Sequence, residues 1–442
     1  MALLEILLLV IILFTGYTLM VGFCGLFTPP SVPLPPPDKR FCIIIPAHNE
    51  ELVIEHLLNN LRRLDYPERL YDVVVVADNC SDETAEVASQ PGVTVLERRD
   101  PKRRGKGYAV RYALRELGFI NEAAGNAAGD AVVVFDADNL VEPDFLSVMN
   151  GRLQAGEHLI QCYVDSKNPA DTWISGACSI MFWLNNRFTL LARENLGLSA
   201  VFMGTGMCIS RQALMEVGWD THTLTEDLEY SVQAVLAGYR TRYTHDTCIY
   251  DEKPLTFAVS CRQRLRWARG QISVMFHYAP RLIAEGFRRP CIVRLEAGLR
   301  LAQILVLLAA PPTMYLYYGV LGAGGFAAAV VKNIPLLPLI MGYFPYVFVG
   351  LLFVLDEPPT RVLKYLPFYP LFTLSWLILL LLGLFTHRQR RWMHTQHTRG
   401  VELSGLEETG EDLAYPDAHL ARVSVEEGSA AAAALLSMNE WL

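Results

Sequence analysis

The sequence lacks the features that mark several common protein classes. None of its nine cysteines stands in a Cys-x-x-Cys pair, and no internal repeat of solenoid length is evident. Scattered cysteines of this kind indicate reduced thiols and argue against a disulfide framework or a zinc site. The chain is instead rich in hydrophobic residues, which make up 52% of its 442 residues. This share is more than most soluble proteins carry, and the length exceeds one ordinary domain.

The sequence also has no surplus of positive charge that would attract a polyanion. Its formal net charge is −8, and the imbalance resides in residues 401–442, which hold nine acidic residues against Arg422 alone. Together with the alanines at 430–434, this composition predicts a solvated tail. We therefore expect no nucleic-acid partner.

The N-terminal segment has no Lys or Arg before its apolar stretch and no small-residue cleavage pattern after it. A signal peptide, which is the alternative interpretation, normally carries both. Residues 1–28 contain only one charged residue, Glu5, and are long enough to span a bilayer. We predict a transmembrane helix there, followed by a proline-rich linker at 29–38. Lys39 and Arg40 predict that the next domain, residues 39–270, is cytoplasmic.

The most informative motif in that domain is a pair of carboxylates at the end of an apolar run. Residues 132–135 lead directly into Asp136, Ala137 and Asp138. Side chains at i and i+2 of a strand point to the same face, so the two carboxylates need a cation or donors between them. Oxygen ligands suit Mg²⁺ or Mn²⁺, which complete their shells with water and substrate phosphates. We predict a metal site that holds a nucleotide diphosphate, although the isolated tripeptide is also compatible with a solvated turn.

Two other apolar runs repeat this arrangement. Residues 41–45 and 73–77 are typical of strands buried on both faces of a parallel sheet. Polar residues follow each run, with Glu50 after the first and Asp78 after the second. Open α/β sheets bind ligands at the carboxyl ends of their strands. The three runs are therefore predicted to deliver their acidic residues to one ligand site.

Three predicted helix starts carry polar residues. Ser81 is predicted to be the N-cap of a helix that runs through 87. Lys106 follows a glycine at another helix start, where backbone amides would favour a phosphate, although a solvated basic turn fits as well. Thr225 is predicted to be the N-cap of a third helix, with Glu226 and Asp227 in its first turn. The helix dipole favours acids there whether or not they are catalytic.

Two further motifs have compositions suited to binding. The loop Gly204-Thr205-Gly206 can approach a ligand or another segment closely. Gln263, Arg266 and Trp267 fall at i, i+3 and i+4 of a predicted helix, so one face would present an amide, a fork of donors and a flat ring. That face suits a diphosphate beside a sugar. A basic helix next to the membrane is the alternative.

In this order, the motifs resemble those of family 2 glycosyltransferases, and more closely those of membrane polysaccharide synthases such as cellulose, chitin and hyaluronan synthases. The similarity covers roughly residues 40–270 and the membrane segments around them. It implies an α/β catalytic domain of the GT-A (Rossmann-like) type, embedded between transmembrane helices. The implied activity is that of a glycosyltransferase (a hexosyltransferase) in the cell membrane.

The resemblance also implies a role for each matching residue. The residues that would bind the nucleotide sugar are Pro46, Ala47, His48, Glu50, Asp78, Lys106, Asp136, Ala137, Asp138, Gln263 and Arg266. Asp136 and Asp138 among them would hold the metal. The residues implied on the acceptor side are Gly204, Thr205, Gly206, Glu226 and Trp267. Asp227 would be the general base of a single inverting displacement.

The C-terminal part of the sequence predicts a multi-pass membrane region at 293–386. Residues 271–292 mix apolar and basic residues, as an interfacial amphipathic helix would. Apolar segments follow at 301–320, 334–355 and 365–385. Three crossings would place the basic residues after 386 outside, contrary to the positive-inside rule. Because Pro311 and Pro312 are expected to break the first segment, we predict a helical hairpin at about 300–331, which keeps the basic and then acidic tail, 387–442, in the cytoplasm.

Three hypotheses remain open from the sequence. The leading one is a synthase that extends a polysaccharide from a UDP-sugar and passes it through its own helices, in contact with membrane lipids and with secretion partners that the sequence does not name. The second is an enzyme that transfers one sugar to a lipid acceptor. The third is a nucleotide-binding membrane scaffold without catalytic activity.

Overall fold

A computed structural model describes residues 2–31, 33–120, 129–317, 347–356, 358–389 and 403. Within these residues, eight strands form one sheet. The strands are β1 (Phe41–Ala47), β2 (Tyr71–Asp78), β3 (Val93–Arg98), β4 (Ala131–Val134), β5 (Leu140–Val141), β6 (Leu159–Ser166), β7 (Met207–Ser210) and β8 (Thr241–Asp251). Their order across the sheet is β3-β2-β1-β4-β7-β6-β8-β5.

Helices cover both faces of the sheet and extend from it at both ends of the chain. The helices before the last strand are α1 (Ala2–Phe23), α2 (Ile54–Leu61), α3 (Thr84–Ala88), α4 (Lys106–Glu116), α5 (Phe145–Gln154), α6 (Trp173–Asn185), α7 (Ala192–Asn195), α8 (Arg211–Val217) and α9 (Glu226–Ala237). Those after it are α10 (Phe257–Arg288), α11 (Ile292–Tyr315), α12 (347–355) and α13 (Tyr369–Thr386). A π-helical segment, Asn186–Leu191, joins α6 to α7, and a 3₁₀ segment, Thr360–Phe368, precedes α13.

The half of the sheet that contains β1 to β4 is parallel, and β1, β2 and β4 are buried on both faces, as their apolar runs predict. β1 pairs with both β2 and β4 in parallel, and β2 pairs with β3. Alternate residues of β1 enter different cores, with Ile43 packed on the side of α2 and Ile44 on the side of α4. Continuous β-branched runs suit this position because neither face meets water. The carboxyl ends of these strands therefore share one edge of the sheet.

The other half of the sheet, for which the sequence predicts no strand directions, is mixed. β7 runs antiparallel to both β4 and β6. The reason lies in the preceding segment, because the chain returns from α7 to the carboxyl edge of β4, where the amide of Gly206 donates to the carbonyl of Val134 at 3.0 Å. A strand that starts at this edge can only run back across the sheet. The loop before β7 is thereby held beside the end of β4.

Helix α10 is continuous across the predicted boundary at 270/271. Its first half carries the Gln263 to Trp267 face, and its second half packs against α11 and α9 through buried residues such as Ile272, Met275 and Leu282. The predicted interfacial helix is therefore the distal part of the helix that also forms one wall of the site. Protein covers Ile272, Met275 and Leu282, while Phe276 and Phe287 of the same segment are exposed.

Two helices in the described part of the chain are long and apolar enough to cross a membrane, Leu3–Leu26 and Thr360–Thr386. They correspond to the first and last predicted spans. The expected break at Pro311 and Pro312 is wrong, since α11 continues through both to Tyr315 and then widens into a π turn at 316–317. The predicted hairpin beyond 317, residues 334–346 of the middle span, and almost all of the tail lie outside the described residues.

Buried polar contacts join these outer helices to the sheet domain. Arg193 lies 2.9 Å from a carboxylate oxygen of Glu296 on α11, and the hydroxyl of Tyr17 on α1 donates to the same oxygen at 2.7 Å. Arg187 in the π segment pairs with buried Asp356, which follows α12. Because unpaired buried charges are costly, these contacts fix how α1, α11 and α12 are seated on the domain.

Candidate active site

A cavity of about 420 Å³ opens at the carboxyl edge of the parallel strands. It is bounded by the turns after β1, β2 and β4, by the starts of α4 and α9, and by one face of α10. Sixteen of the residues predicted to act in the site line it. They are Pro46, Ala47, His48, Glu50, Asp78, Lys106, Asp136, Ala137, Asp138, Gly204, Thr205, Glu226, Asp227, Gln263, Arg266 and Trp267.

Gly206 is the predicted acceptor-side residue that does not line this cavity. It has a φ of +64°, and a Cβ at this position would collide with the Sγ of Cys162. Its glycine is therefore required by a left-handed backbone and close packing behind the site. Thr205 is also buried, and its hydroxyl accepts from the amide of Asp136 at 3.1 Å. The side chain of Thr205 thus holds the turn that carries the carboxylates.

The two carboxylates after β4 are held in different environments. Asp136 reaches the cavity with 39% of its side chain exposed, and its turn is fixed because Asn139 accepts from the Asp136 amide at 2.9 Å. Asp138 is buried and accepts from the amide of Glu252 at 3.0 Å. No cluster of three or more His, Cys, Asp or Glu suited to a metal occurs among the described residues. Two carboxylates beside an open cavity fit a hard cation that takes its remaining ligands from water and phosphate.

Lys106 is the first residue of α4 and lies against this pair. Gly105 precedes it with a φ of +122°, which turns the chain into the helix. The Nζ atom of Lys106 is 2.5 Å from Oδ1 of Asp136 and 2.5 Å from the carbonyl oxygen of Gly204. The predicted position at a helix start is confirmed, and the ammonium also bridges the ends of two other elements.

The turn after β2 contains a buried ion pair. Nη1 of Arg98 lies 2.5 Å from Oδ1 of Asp78, and both side chains are less than one tenth exposed. Burial raises the pKa of Asp78, while Arg98 opposes that shift. His48 reaches the same turn, with Nδ1 2.6 Å from the carbonyl oxygen of Asp78. Arg98 is not among the residues that the sequence predicts for the site. Arg98 ends β3, which pairs with β2, and this position at a strand end is the signal that could have identified it.

The predicted cap of α3 is wrong. The helix begins at Thr84, and Asp82 accepts from the Thr84 amide at 3.2 Å. Ser81 instead donates its amide to the side-chain oxygen of Asn49 at 2.8 Å. Asn49 adopts a left-handed backbone conformation, with a φ of +56°, in the turn after β1. The Ser81 amide therefore stabilises that turn and does not cap a helix.

The acids at the start of α9 are pressed against α10. Glu226 begins the helix, as predicted, but Thr225 makes no side-chain cap. A Cβ at Gly270 of α10 would lie 2.5 Å from the side chain of Thr225 and 2.8 Å from its amide nitrogen, so the start of α9 packs directly on the backbone of α10. Burial raises the pKa of Glu226, and the Asp227 charge raises it further. Burial likewise raises the pKa of Asp227.

The face of α10 that the sequence predicts does line the cavity, and a second tryptophan joins it. The ring of Trp376 on α13 stacks on Trp267, with centroids 6.4 Å apart and an interplanar angle of 17°. Both rings line the cavity. Arg266 presents a buried Nε atom with no hydrogen-bond partner in the described part of the chain. No local pattern links Trp376 to Trp267, because the two lie on helices far apart in sequence.

The cavity therefore places two carboxylates and a lysine opposite a second pair of acids and an arginine. The first group suits a diphosphate with a divalent cation. The second offers a carboxylate with a raised pKa, which is what a general base near neutral pH requires.

A family model described as "Glycosyltransferase like family 2" matches residues 36–270, just over half of the chain. Among curated proteins, a probable glycosyltransferase, YdaM of Bacillus subtilis, is 29% identical over 253 residues, covering 54% of this chain and 57% of that protein. The β-monoglucosyldiacylglycerol synthase of Synechocystis is 29% identical over 53% of this chain and 48% of its own length. The poly-β-1,6-N-acetyl-D-glucosamine synthase of Staphylococcus aureus is 25% identical over 52% and 54%.

The chain spans about half the length of the curated relatives it matches. Among solved structures, the mannosyltransferase PcManGT from Pyrobaculum calidifontis, in complex with GDP-Man and Mn²⁺, superposes with a TM-score of 0.58 at 20% identity. The superposition covers 87% of this chain and all of that one. The sheet domain therefore has a GT-A-like α/β fold.

Proposed function

Because this chain belongs to glycosyltransferase family 2, and is therefore an enzyme that uses a nucleotide sugar, we propose a specific reaction for it. It transfers a sugar from a UDP-sugar to a growing polysaccharide, with inversion at the anomeric carbon. Mg²⁺ or Mn²⁺ assists the reaction. The catalytic domain, residues 39–270 with the rest of α10, faces the cytoplasm.

One observation carries this proposal. A single cavity brings Asp136, after β4, and Lys106, at the start of α4, together with Asp227 at the start of α9. A Cβ built at Gly204 would lie 3.5 Å from the Oδ2 atom of Asp227, and the carbonyl of the same glycine contacts Lys106. Glycine leaves that space open. The base and the phosphate-binding cation are thus separated by little more than one residue of backbone.

This geometry supports a direct displacement. Asp227 accepts the proton of an acceptor hydroxyl, whose oxygen then attacks the anomeric carbon from the face opposite the diphosphate. Lys106 and Arg266 donate to the departing diphosphate, which gives the buried Nε of Arg266 an acceptor. A divalent cation held by Asp136 and Asp138 would supply further neutralisation of the leaving group.

The turns after β1 and β2 supply the nucleoside end of the donor site in this proposal. Pro46 to Glu50 and Asp78 surround the base and ribose, and Arg98 pairs with the Asp78 carboxylate and orients it. UDP is the proposed nucleotide by similarity to polysaccharide synthases. The GDP-Man in the PcManGT structure makes GDP-mannose a donor to be tested alongside UDP-sugars.

A second acceptor class, a membrane lipid, is favoured by one specific observation. Trp376 lines the cavity and belongs to Thr360–Thr386, a candidate membrane span. The acceptor side of the site therefore adjoins an apolar helix, and one relative is named as a synthase of a glycosylated diacylglycerol. Under both proposals the enzyme is integrated into the membrane through α1 and the helices after α10.

The first test is nucleotide release by purified protein with Mn²⁺ or Mg²⁺. UDP-glucose, UDP-N-acetylglucosamine, UDP-glucuronate, UDP-galactose and GDP-mannose are supplied separately, with lipid extract present and the sugar radiolabelled. High-molecular-weight product supports the polysaccharide synthase, and organic-extractable product with a single sugar supports the lipid acceptor. Absence of release in every mixture overturns the catalytic proposal and favours a binding scaffold.

A further inference from the structure

The ammonium of Lys106 contacts a carboxylate that a divalent cation would also bind. Its Nζ contacts Oδ1 of Asp136 at 2.5 Å and the carbonyl oxygen of Gly204 at 2.5 Å. The side chain is only 15% exposed, so it is an internal partner of the carboxylate and not a solvated surface charge. Asp136 is the more exposed of the two proposed metal-binding carboxylates.

A metal bound to Asp136 would therefore lie next to the Lys106 ammonium, which already contacts the same carboxylate. The ammonium and the metal repel each other at this separation, and Asp136 cannot serve both fully. Asp138 offers little compensation, since it is buried and accepts from the amide of Glu252 at 3.0 Å. We therefore expect the site to bind a metal weakly when no nucleotide is bound.

A nucleotide diphosphate changes this balance. It brings negative oxygens that can pair with Lys106, and this releases Asp136 toward a cation that also binds the phosphates. Lys106 is the first residue of α4, and a long flexible side chain at a helix start can change partners without moving the helix.

We propose that Lys106 is a placeholder cation, which neutralises Asp136 in the empty enzyme and leaves it for the diphosphate, so that metal and nucleotide bind as a coupled pair. This inference rests on the proposed metal-dependent function. Coupling between two ligands is reciprocal, so the nucleotide must also bind more tightly when the metal is present.

The test measures Mn²⁺ binding to the purified full chain in detergent by electron paramagnetic resonance, with Mn²⁺ alone and then with UDP or GDP. In the wild type, nucleotide should raise Mn²⁺ affinity about tenfold or more, within the usual range of coupling. Lys106→Met should bind Mn²⁺ alone about tenfold more tightly than the wild type, and nucleotide should then add less than about threefold. Lys106→Arg, which keeps the charge, should resemble the wild type.

Lys102→Met is the matched control, because it removes an exposed lysine four residues earlier in the chain. It should change Mn²⁺ affinity less than about twofold, as expected for an exposed charge. The inference is overturned if Lys106→Met binds Mn²⁺ alone no more tightly than the wild type. It is also overturned if the wild type binds Mn²⁺ equally well with and without nucleotide, a result that needs no variant to fold. Failure of the wild type to bind Mn²⁺ under any condition refutes the proposed metal dependence itself.

Discussion

Replacing Asp227 by asparagine tests the proposed base with the least structural disturbance. The substitution is nearly isosteric, and it leaves unchanged the carbonyl of Asp227, which accepts from the hydroxyl of Ser231 at 2.8 Å. A positioned general base contributes about 10² to 10⁴ in rate. At 1.36 kcal/mol for each tenfold change, the expected loss of transition-state stabilisation is about 3 to 5 kcal/mol.

Nucleotide binding should respond differently to Asp227→Asn. The Asp227 carboxylate faces the charges of Lys106 and Arg266, which both influence its pKa. Its removal leaves those cations free for the diphosphate, so we expect UDP affinity to stay within about threefold of the wild type or to increase. The assay compares turnover of the active donor with UDP binding measured by calorimetry.

The pH dependence of turnover provides a second readout of the same prediction. Because burial raises the pKa of Asp227, the base is protonated at pH values where an ordinary aspartate, with a pKa of about 3.9, is ionised. Turnover should therefore rise with pH through a range above that value, and Asp227→Asn should lack this rise. A carboxyl group whose pKa is raised in the folded state stabilises the fold in its protonated form, and this contribution is lost as pH rises through the raised pKa. At pH 8 the melting temperature of Asp227→Asn should therefore be no lower than that of the wild type.

Asp220→Asn is the control for these measurements. It makes the same chemical change at an exposed carboxylate, which pairs with Arg111 at the surface, and should alter turnover less than about twofold. Equal losses of UDP affinity and turnover in Asp227→Asn would assign Asp227 to donor binding. Near-normal turnover would refute its role as the base.

Two further predictions concern the packing that shapes the site. Arg98→Met leaves the Asp78 carboxylate buried without its cation. We expect a lower melting temperature, a loss of about 3–5 kcal/mol in the free energy of unfolding and weaker nucleotide binding. The double variant Arg98→Met with Asp78→Asn should recover part of the stability. Gly270→Ala places a methyl group 2.8 Å from the Thr225 amide, so it should push α9 from α10, cost about 1–3 kcal/mol and lower turnover with little change in UDP affinity. Gly16→Ala, where nothing lies within 4 Å of the new methyl group, should be silent in both assays.

Each packing prediction has a clear contrary result. If Arg98→Met melts at the wild-type temperature, the buried ion pair contributes nothing to stability. If Gly270→Ala lowers UDP affinity and turnover together, the contact between α9 and α10 supports the donor site rather than the base.

Much of the sheet and its ligand edge could be predicted from local sequence. The apolar runs of β1, β2 and β4 fix buried strands because no other short element hides both faces of such a run. Polar residues at their ends then identify the edge where the site lies. The start of α4 at Lys106 followed from the glycine before it. These features depend on neighbours within a few residues, so a single sequence contains them.

Local caps and breaks were predicted less well. The sequence predicts Ser81 at a helix start, but its amide donates to the side chain of Asn49 in the left-handed turn after β1. Pro311 and Pro312 were expected to interrupt α11, which continues through them. In both cases a partner or a packing surface distant in sequence overrides a local preference.

The sequence by itself determined which residue types could meet a metal, a diphosphate and an acceptor, because those chemistries depend on side-chain composition and spacing. Only the tertiary structure decided which of them face one cavity. It turned β7 antiparallel, so that Gly206 is buried while Gly204 lines the cavity. It also paired Arg98 with Asp78 and stacked Trp376 on Trp267. These contacts join elements that are separate in the chain, and they form only when apolar helix faces and strand edges have found their partners.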